Sequence, residues 1–282
     1  MLHVKRIFLA VGRILPSLLR QLAAQPPARH FRPRRKISLR RQHVSYTKLH
    51  NCGSASMKTT QQELFAVQQA HPARQMRVLI GCETSGRTRD AFLRAGHNAI
   101  SCDLLSTDVP GPHYQGDVRD MLGEQWDLAI FHPTCTYLCS SGMHWNKNPK
   151  SPRFGGQQTE EALEFVRMLL AAKIPRIALE NPTGCIGTRI RPADQYIQPY
   201  EFGDDASKRT GLWLVNLPKL VIDPAHRVAG RLVTLPSGKT VERWANQTDS
   251  GQNKLAPSAD RWKLRSETYP GIAEAFTQWG QL

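Results

Sequence analysis

Short apolar runs alternate with longer stretches of helical spacing from Met76 onward, and this alternation allows only a few folds. Runs typical of buried strands cover residues 78–81, 97–103, 126–131 and 177–179. Residues 90–96 and 158–172 instead carry apolar side chains at helical intervals. Strands that are joined by helices pair in parallel. The pattern therefore predicts an α/β fold with a doubly wound, mostly parallel sheet.

Polar or reactive side chains follow the predicted strands at their carboxyl ends. They are Glu83, Asp103, Asp117, the segment His132–Pro133–Thr134–Cys135 and the segment Glu180–Asn181–Pro182. Ligands of doubly wound sheets bind beyond this edge, so these residues predict a ligand site. Glu83 is followed by Ser85 and Gly86 rather than by a full glycine-rich motif, which disfavours a pyrophosphate-bearing dinucleotide. The acid at the end of the second strand, Asp103, suits the paired hydroxyls of a ribose and favours a nucleoside-type cofactor.

The net charge of +15 is concentrated in the first 75 residues, which hold 14 of the 38 Lys and Arg residues and one of the 23 acidic residues. An Arg-rich, acid-poor start is typical of targeting peptides, membrane-surface helices and disordered nucleic-acid-binding arms. The composition favours an unstructured basic extension, or sequence ahead of a start at Met57 or Met76. Residues 76–282 are nearly neutral, and we expect them to form the folded domain.

Composition also excludes several classes of protein. No apolar run approaches the ~18–20 residues that span a membrane. The six cysteines are too few and too irregularly spaced for a disulfide scaffold, and no signal-peptide cleavage site is recognisable. We therefore expect a cytoplasmic protein with reduced thiols, without a membrane or an obligate protein partner.

The order of the motifs resembles that of the cytosine-C5 DNA methyltransferases. It is also similar to that of compact phage and prophage proteins usually labelled DNA cytosine methyltransferase, and this likeness extends over residues 76–282. The matching motifs are Gly81–Cys82–Glu83–Thr84–Ser85–Gly86, Asp103, Gly116–Asp117, Pro133–Thr134–Cys135 and Glu180–Asn181–Pro182, with residues 260–262 and 268–275 near the end of the chain. The resemblance implies a Rossmann-like S-adenosylmethionine-dependent methyltransferase fold and an enzyme of phage or restriction–modification DNA methylation.

The resemblance also implies roles for individual residues. Cys135 would be the nucleophile that adds to C6 of a cytosine flipped out of DNA, with Glu180 as its acid partner at N3 and Asn181 fixing the loop. The implied ligands of S-adenosyl-L-methionine are Asp103 at the ribose, Asp117 at the adenine amino group, Gly81 and Glu83 at the methionine end, and Ser85, Gly86 and Pro133 beside them. The arginines that assist the base have their nearest matches in Arg189 and Arg191, and next in Lys208–Arg209.

The residues around the nucleophile leave alternatives open. Thr134 separates Pro133 from Cys135, whereas the methyltransferases normally have Pro directly before Cys. Cys135 could be a buried structural thiol, or it could bind a metal ion together with Cys139 and His144. His132 is either a loop residue or a substrate contact.

The substrate is less constrained than the chemistry. Residues 214–259 leave room for only a small substrate-reading insertion, in which a hairpin turns at Ser237–Gly238 and carries basic residues at Arg227, Arg231, Lys239 and Arg243. The alternative functions are a related pyrimidine-modifying enzyme that acts on RNA or a nucleotide, or that uses another one-carbon donor. A non-catalytic DNA-binding protein that retains the fold is a third.

Removal of residues 1–75 is expected to leave methyl transfer to DNA intact, because the motifs lie outside them, while weakening salt-sensitive DNA association. Methyl transfer and DNA retention at low and high salt, compared between the full and truncated chains, measure the two effects separately. Loss of methyl transfer on truncation would show that the extension belongs to the catalytic domain.

Overall fold

The computed structural model describes residues 74–258 and 260–282, so the predicted extension lies almost wholly outside the described residues. The strands of the main sheet are β1 (Arg77–Gly81), β2 (Asn98–Asp103), β3 (His113–Gln115), β4 (Leu128–Phe131), β5 (Ile177–Pro182), β6 (Gln195–Ile197) and β7 (Thr210–Val215). They lie in the order β3-β2-β1-β4-β5-β7-β6. Neighbours are parallel except at β7, which is antiparallel to both β5 and β6. The predicted mostly parallel α/β sheet is confirmed.

Helices cover both faces of this sheet. They are α1 (Arg87–Arg94), α2 (Ser140–Met143), α3 (Gln157–Leu170), α4 (Ile186–Arg189), α5 (Arg261–Ser266) and α6 (Pro270–Phe276). On one face, Phe92 of α1 and Phe276 of α6 belong to a core cluster with Trp279. On the other face, α3 packs through Leu163 and Val166. None of the helices within residues 74–258 and 260–282 has the length and apolar character needed to cross a bilayer.

The central strands are apolar at every position because both of their faces are covered. In β1, Val78 and Ile80 belong to the cluster under α1 and α6, whereas Leu79 between them belongs to the cluster under α3. All three side chains are fully buried. Continuous apolar runs, rather than alternating ones, are therefore what this sheet requires.

Helix α1 begins at Arg87, three residues before the predicted start. The cause is a cap made by Glu83, whose carboxylate accepts a hydrogen bond of 2.9 Å from the backbone N–H of Thr88. Gly86 precedes the helix in the left-handed conformation, with φ of 70°. The predicted stop at Gly96 is confirmed, since this residue has φ of 88° just beyond the end of the helix.

Strand β5 is longer than the predicted segment 177–179, because it pairs with β7 along its whole length, from Ile177 opposite Val215 to Pro182 opposite Thr210. Glu180 and Asn181 therefore belong to the strand rather than to a loop that follows it. Both are buried. The sheet thus fixes the backbone of two predicted site residues.

The predicted hairpin is confirmed as β8 (Arg231–Thr234) and β9 (Thr240–Arg243), with its turn at Gly238 in the left-handed conformation. Two of the four basic residues named for this region bind neighbouring carboxylates. Arg231 forms an ion pair of 2.5 Å with Asp249, and Arg227 pairs with Glu242. These two arginines stabilise the hairpin and its surroundings in the described chain.

Arg89 is completely buried and ties α1 to the loop between β2 and β3. Its guanidinium donates hydrogen bonds to the side chain of Asp90 at 2.8 Å and to the hydroxyls of Ser101 and Thr107 at 3.2 Å each. It also donates to the carbonyl oxygens of Val109 and Pro110. A buried cation of this kind is stable only because its donors are satisfied, so Arg89 holds the loop in one conformation.

Arg89→Met is expected to lower the free energy of unfolding by about 3–5 kcal/mol, since it leaves several buried acceptors without a donor. Arg167→Met is the matched control, because the Arg167–Glu164 pair is exposed and should contribute less than about 1 kcal/mol. Urea denaturation followed by circular dichroism measures both. Equal losses in the two variants would contradict the role of Arg89.

Candidate active site

Two cavities lie at the carboxyl ends of the parallel strands. The larger has a volume of about 610 Å³ and is lined by Cys82, Asp103, Leu104, Asp117, Val118, Arg119, Pro133, Thr134, Tyr137, Leu138, Gln158, Glu161, Ala162 and Phe165. The smaller has a volume of about 380 Å³ and is lined by Cys135, Cys139, Ser140, Ser141, Pro182, Thr183, Ser207, Lys208, Arg209, Asn246, Gln247, Gly251, Asn253, Leu255, Leu264, Arg265 and Tyr269. The predicted ligand edge of the sheet is therefore concave at two places.

Three of the predicted cofactor ligands, Asp103, Asp117 and Pro133, line the larger cavity. Asp103 is half-buried, and burial raises its pKa above the ordinary value despite a hydrogen bond from the backbone N–H of Leu105. Asp117 accepts two hydrogen bonds from Arg119, from the backbone at 2.9 Å and from the guanidinium at 2.8 Å. The cavity thus presents one carboxylate held by backbone and one paired with a cation.

The other predicted cofactor residues lie in the turn between β1 and α1 and do not line the larger cavity. One Glu83 oxygen accepts hydrogen bonds from the Ser85 hydroxyl at 3.0 Å and from Thr88, while the second, although buried, has no partner in the described chain. Gly81 packs under Phe131, whose ring would lie 2.6 Å from an added Cβ. Gly81, Glu83, Ser85 and Gly86 shape the turn beside Cys82, which does line the cavity.

The chain from Pro133 to Cys139 forms the wall between the two cavities. Pro133, Thr134, Tyr137 and Leu138 line the larger one, whereas Cys135 and Cys139 line the smaller one. The backbone turns here in a 3₁₀ helix over Cys135–Tyr137. The wall therefore presents two thiols to the smaller cavity and a mainly apolar surface to the larger one.

Strand β5 holds this wall in place. The Asn181 side-chain N–H donates a hydrogen bond of 2.7 Å to the carbonyl oxygen of Pro133. Beyond the strand, Gly184 pairs with Cys139, and a Cβ on this glycine would lie 1.9 Å from the carbonyl oxygen of Leu138. Only glycine allows the two backbones to approach so closely. The predicted role of Asn181 in fixing the loop has a physical basis in this contact.

Cys135 and Cys139 interact through their thiols. This interaction first, and burial second, raise the pKa of Cys135, while the positive charge of Lys208 acts in the opposite direction. The same interaction lowers the pKa of Cys139, which also lies 3.2 Å from the Ser141 hydroxyl. The two thiols therefore retain one proton, which is held by Cys135, and the negative charge is stabilised at Cys139.

Glu180 is a buried carboxylate surrounded by compensating groups. Its Oε2 accepts a hydrogen bond of 3.0 Å from Nδ1 of His132, which lies just beyond β4. Burial alone would raise the pKa of Glu180, but the charge of Lys208 and the contacts with His132 and Thr210 outweigh it and hold that pKa below its ordinary value. Glu180 is thus ionised at neutral pH. Its charge also reaches Cys135, which lines the smaller cavity.

The predicted substrate arginines lie away from both cavities. Arg189 pairs with Glu160 at 2.9 Å, and Arg191 pairs with Asp194 at 2.5 Å. The second-choice pair, Lys208–Arg209, lines the smaller cavity instead. These residues directly precede β7, and because β7 runs antiparallel to β5, its amino end meets the carboxyl end of β5.

The smaller cavity also contains residues that the sequence motifs did not indicate. Asn246 is held by two hydrogen bonds of 2.9 Å with the backbone of Ser207 and by one of 3.1 Å with the Tyr269 hydroxyl. Arg265 of α5 also lines the cavity.

Within residues 74–258 and 260–282, no three His, Cys, Asp or Glu side chains form a group that could bind a metal ion, so Cys135, Cys139 and His144 do not converge.

The opposite pKa shifts of Glu180 and Asp103 predict opposite effects on stability. The pKa of folded Glu180 is lowered, so its stabilising contribution is present above the unfolded value and lost as pH falls through the folded value. The pKa of folded Asp103 is raised, so its contribution is present below the unfolded value and lost as pH rises through the folded value. As pH falls from about 7 to about 3, the Glu180→Gln substitution should therefore become less destabilising. Over the same range, the Asp103→Asn substitution should become less stabilising.

Urea denaturation of both variants and the unmodified protein across this pH range measures these differences. The two variants act as controls for each other, since their differences from the unmodified protein should have opposite signs at neutral pH. The same sign for both would contradict the environments described for the two carboxylates.

No family model matches the sequence, and no curated protein matches it. Among solved structures, the chain is similar to a candidate DNA modification methyltransferase encoded within an E. coli prophage, with 14% identity over 50% of this chain and 46% of that one and a TM-score of 0.35. It is also similar to WbdD bound to a kinase inhibitor, with 14% identity over 54% of this chain and 40% of that one and a TM-score of 0.30. A third similar structure is an rRNA methylase from Escherichia coli, with 15% identity over 54% of this chain and 61% of that one and a TM-score of 0.29. The chain thus spans 40–61% of the length of these structures. The sheet itself, with its reversed β7, has the Rossmann-like methyltransferase fold.

Proposed function

We propose that the chain transfers a methyl group from S-adenosyl-L-methionine to C5 of cytosine in DNA, through a covalent bond between Cys135 and C6. The observation that carries this proposal is the wall between the two cavities. Cys135 and Cys139 line a small polar cavity, while their neighbours Pro133, Thr134 and Tyr137 line a larger cavity next to it. A nucleophile placed between two binding cavities suits a reaction that joins two substrates.

The larger cavity fits S-adenosyl-L-methionine, which would supply an electrophilic methyl group. The Asp103 carboxylate suits the two ribose hydroxyls, and Asp117 suits the adenine amino group. Phe165 and Ala162 provide apolar surface for the adenine ring. Arg119 is the cation among the lining residues and is already paired with Asp117, so the cavity lacks a free phosphate clamp. A nucleoside without phosphate groups matches this combination.

The smaller cavity fits a flipped pyrimidine. C5 of cytosine is too weakly nucleophilic to accept the methyl group directly, so a thiolate must first add to C6. Cys135 supplies the sulfur. The Cys139 thiol and burial raise the pKa of Cys135, so addition requires the proton of the pair to move to Cys139, while the charge of Lys208 favours the Cys135 thiolate that results. The addition also requires a proton or a hydrogen-bond donor at N3, which is the role of the site around Glu180. A base in duplex DNA reaches such a cavity only after leaving the stack.

The opposite side of this cavity suits recognition of DNA. Asn246, Gln247 and Asn253 offer amide groups, which can both donate and accept hydrogen bonds at a base edge. Arg209 lies 3.6 Å above the Tyr196 ring and donates a hydrogen bond of 3.1 Å to the Thr183 hydroxyl, so its charge is held at the cavity. Together with Arg265, it supplies positive charge for phosphate groups.

Cys135→Ser is expected to lower the rate of labelled methyl transfer to DNA at least about 1000-fold, because the hydroxyl is a much weaker nucleophile. It should also abolish the covalent complex with DNA that contains 5-fluorocytosine. Cys185→Ala is the matched control, since Cys185 is buried outside both cavities and its variant should remain active.

RNA and free cytidine nucleotides serve as parallel substrates in this experiment. Transfer to one of them and not to DNA would move the proposal to the other substrate class. Cofactor binding without transfer to any of the three would indicate a protein that retains the fold without this activity. Full activity of Cys135→Ser would exclude the covalent mechanism.

A further inference from the structure

We infer that Cys139 is a site of reversible oxidation by small hydroperoxides, with Cys135 as the thiol that closes a disulfide with it. The modified site is the wall between the two cavities. The reaction of the thiol pair does not depend on methyl transfer. Its consequence for activity, the loss of the proposed nucleophile, rests on the proposed function.

The two cysteines lie in one closed turn of the chain. The backbone N–H of Cys139 donates a hydrogen bond of 2.9 Å to the carbonyl oxygen of Cys135. A bond between residues four apart brings their Cα atoms to about 6 Å, inside the range of about 4.4–6.8 Å over which disulfides form. Both side chains line the smaller cavity, and their thiols interact. A disulfide therefore requires rotation of the side chains rather than movement of the backbone.

Tight packing keeps Cys139 in this position. A Cβ on Gly142 would lie 2.1 Å from the carbonyl oxygen of Thr136. A Cβ on Gly184, which pairs with Cys139, would lie 1.9 Å from the carbonyl oxygen of Leu138. Close contact on both sides holds the backbone of Cys139 in place. The sulfur is reached through the cavity of about 380 Å³, which has room for a molecule as small as hydrogen peroxide.

Cys139 is the thiol that reacts first, because its ionised form is stabilised. The interaction with Cys135 lowers the pKa of Cys139 to about 5 against the effect of burial. The Ser141 hydroxyl, 3.2 Å from the sulfur, and the positive charge of Arg265 in α5 act in the same direction. Peroxides oxidise the thiolate rather than the thiol. Cys139 is therefore in its reactive form at neutral pH.

The first step consumes the charge at Cys139. The Cys139 thiolate attacks one oxygen of the peroxide, the O–O bond breaks, and a sulfenic acid and hydroxide form. This removes the negative charge that had raised the pKa of Cys135. Of the charged groups that remain, Lys208 favours the Cys135 thiolate more than Glu180 opposes it. Oxidation of one thiol thus activates the other.

The second step closes the bridge. The Cys135 sulfur attacks the Cys139 sulfur, the S–O bond breaks, and the hydroxyl leaves with the Cys135 proton as water. Two electrons have then passed from the pair to the peroxide. A small dithiol such as dithiothreitol returns them by thiol–disulfide exchange. With the bridge in place, neither sulfur in the smaller cavity is a nucleophile.

A second pair of neighbouring thiols lacks this activation. The backbone N–H of Cys82 donates a hydrogen bond of 2.7 Å to the carbonyl oxygen of Cys102, so these residues are also close. Burial raises the pKa of both thiols, that of Cys102 to about 12, and the charges of Asp103 and Asp117 add to the effect. Both thiols are therefore protonated at neutral pH. This pair is an internal comparison for proximity without charge.

Treatment of the full chain with hydrogen peroxide, followed by alkylation and mass spectrometry of its peptides, locates the oxidised cysteines. We expect a disulfide between Cys135 and Cys139 and free thiols at Cys82 and Cys102. Oxidation at about pH 6 should be nearly as fast as at about pH 8, whereas an ordinary thiol would be on the order of 100-fold slower at the lower pH. Cys135→Ser should leave a sulfenic acid at Cys139 that dimedone labels.

Methyl transfer is the second readout. The oxidised protein should lose methyl transfer and regain it with dithiothreitol. Cys185→Ser is the matched control. The backbone N–H of Cys185 donates to Leu138 of the same wall, but its thiol lies outside both cavities, and burial raises its pKa. This variant should form the disulfide and respond to peroxide as the unmodified protein does.

The outcomes separate the inference from the proposed function. Absence of the Cys135–Cys139 disulfide, or equal oxidation of Cys82 and Cys102, would overturn the inference whether or not the protein transfers methyl groups. A disulfide in a protein that methylates none of the substrates would support the inference while the proposed function fails. Methyl transfer that persists with the disulfide intact would show that Cys135 is not the nucleophile.

Discussion

Burial of the Glu180 charge determines what must surround it. A carboxylate removed from water is stable only if other groups compensate it. Here compensation comes from His132 beyond β4, from Lys208 before β7 and from the neighbouring Thr210. Two separate parts of the chain, the end of β4 and the start of β7, therefore converge on the carboxylate that β5 carries. The same convergence places Cys135 within the field of Lys208, so the electrostatics of the proposed nucleophile depend on the arrangement that stabilises the Glu180 carboxylate.

The reversal of β7 makes this convergence possible. A parallel strand at this position would bring its carboxyl end to the site, whereas the antiparallel strand brings Thr210 opposite Pro182 and the preceding Lys208 with it. Strand β5 meanwhile holds the wall on its other side, through the bond from Asn181 to Pro133 and the close approach of Gly184 to Cys139. The wall shared by both cavities is thus held by a single buried strand and the residues that directly follow it. Precise placement on such elements is what the proposed two-substrate reaction requires.

The sequence predicts the sheet and most residues at its ligand edge, because long apolar runs followed by polar residues are local features. Lys208 and His132 were harder to assign because their roles come from pairing between distant segments. Arg189 and Arg191 were the nearest candidates for an arginine motif that has no clean match in the sequence, and they pair with Glu160 and Asp194. An acidic partner three residues after Arg191 is visible in the sequence and could have indicated a structural role. The early start of α1 depends on the Glu83 cap, which no apolar periodicity reveals.

Charge in the folded part of the chain is local rather than global. Residues 76–282 are nearly neutral, since most of the +15 belongs to the first 75 residues. Many cations outside the smaller cavity are paired with carboxylates, as Arg227 and Arg231 are. Lys208, Arg209 and Arg265 meet at the cavity without such a pair in the described chain. At physiological ionic strength charges are screened beyond about 8 Å, so these three cations act locally, at the cavity that they line. Their positive charge therefore acts on the same cavity that Cys135 and Cys139 line.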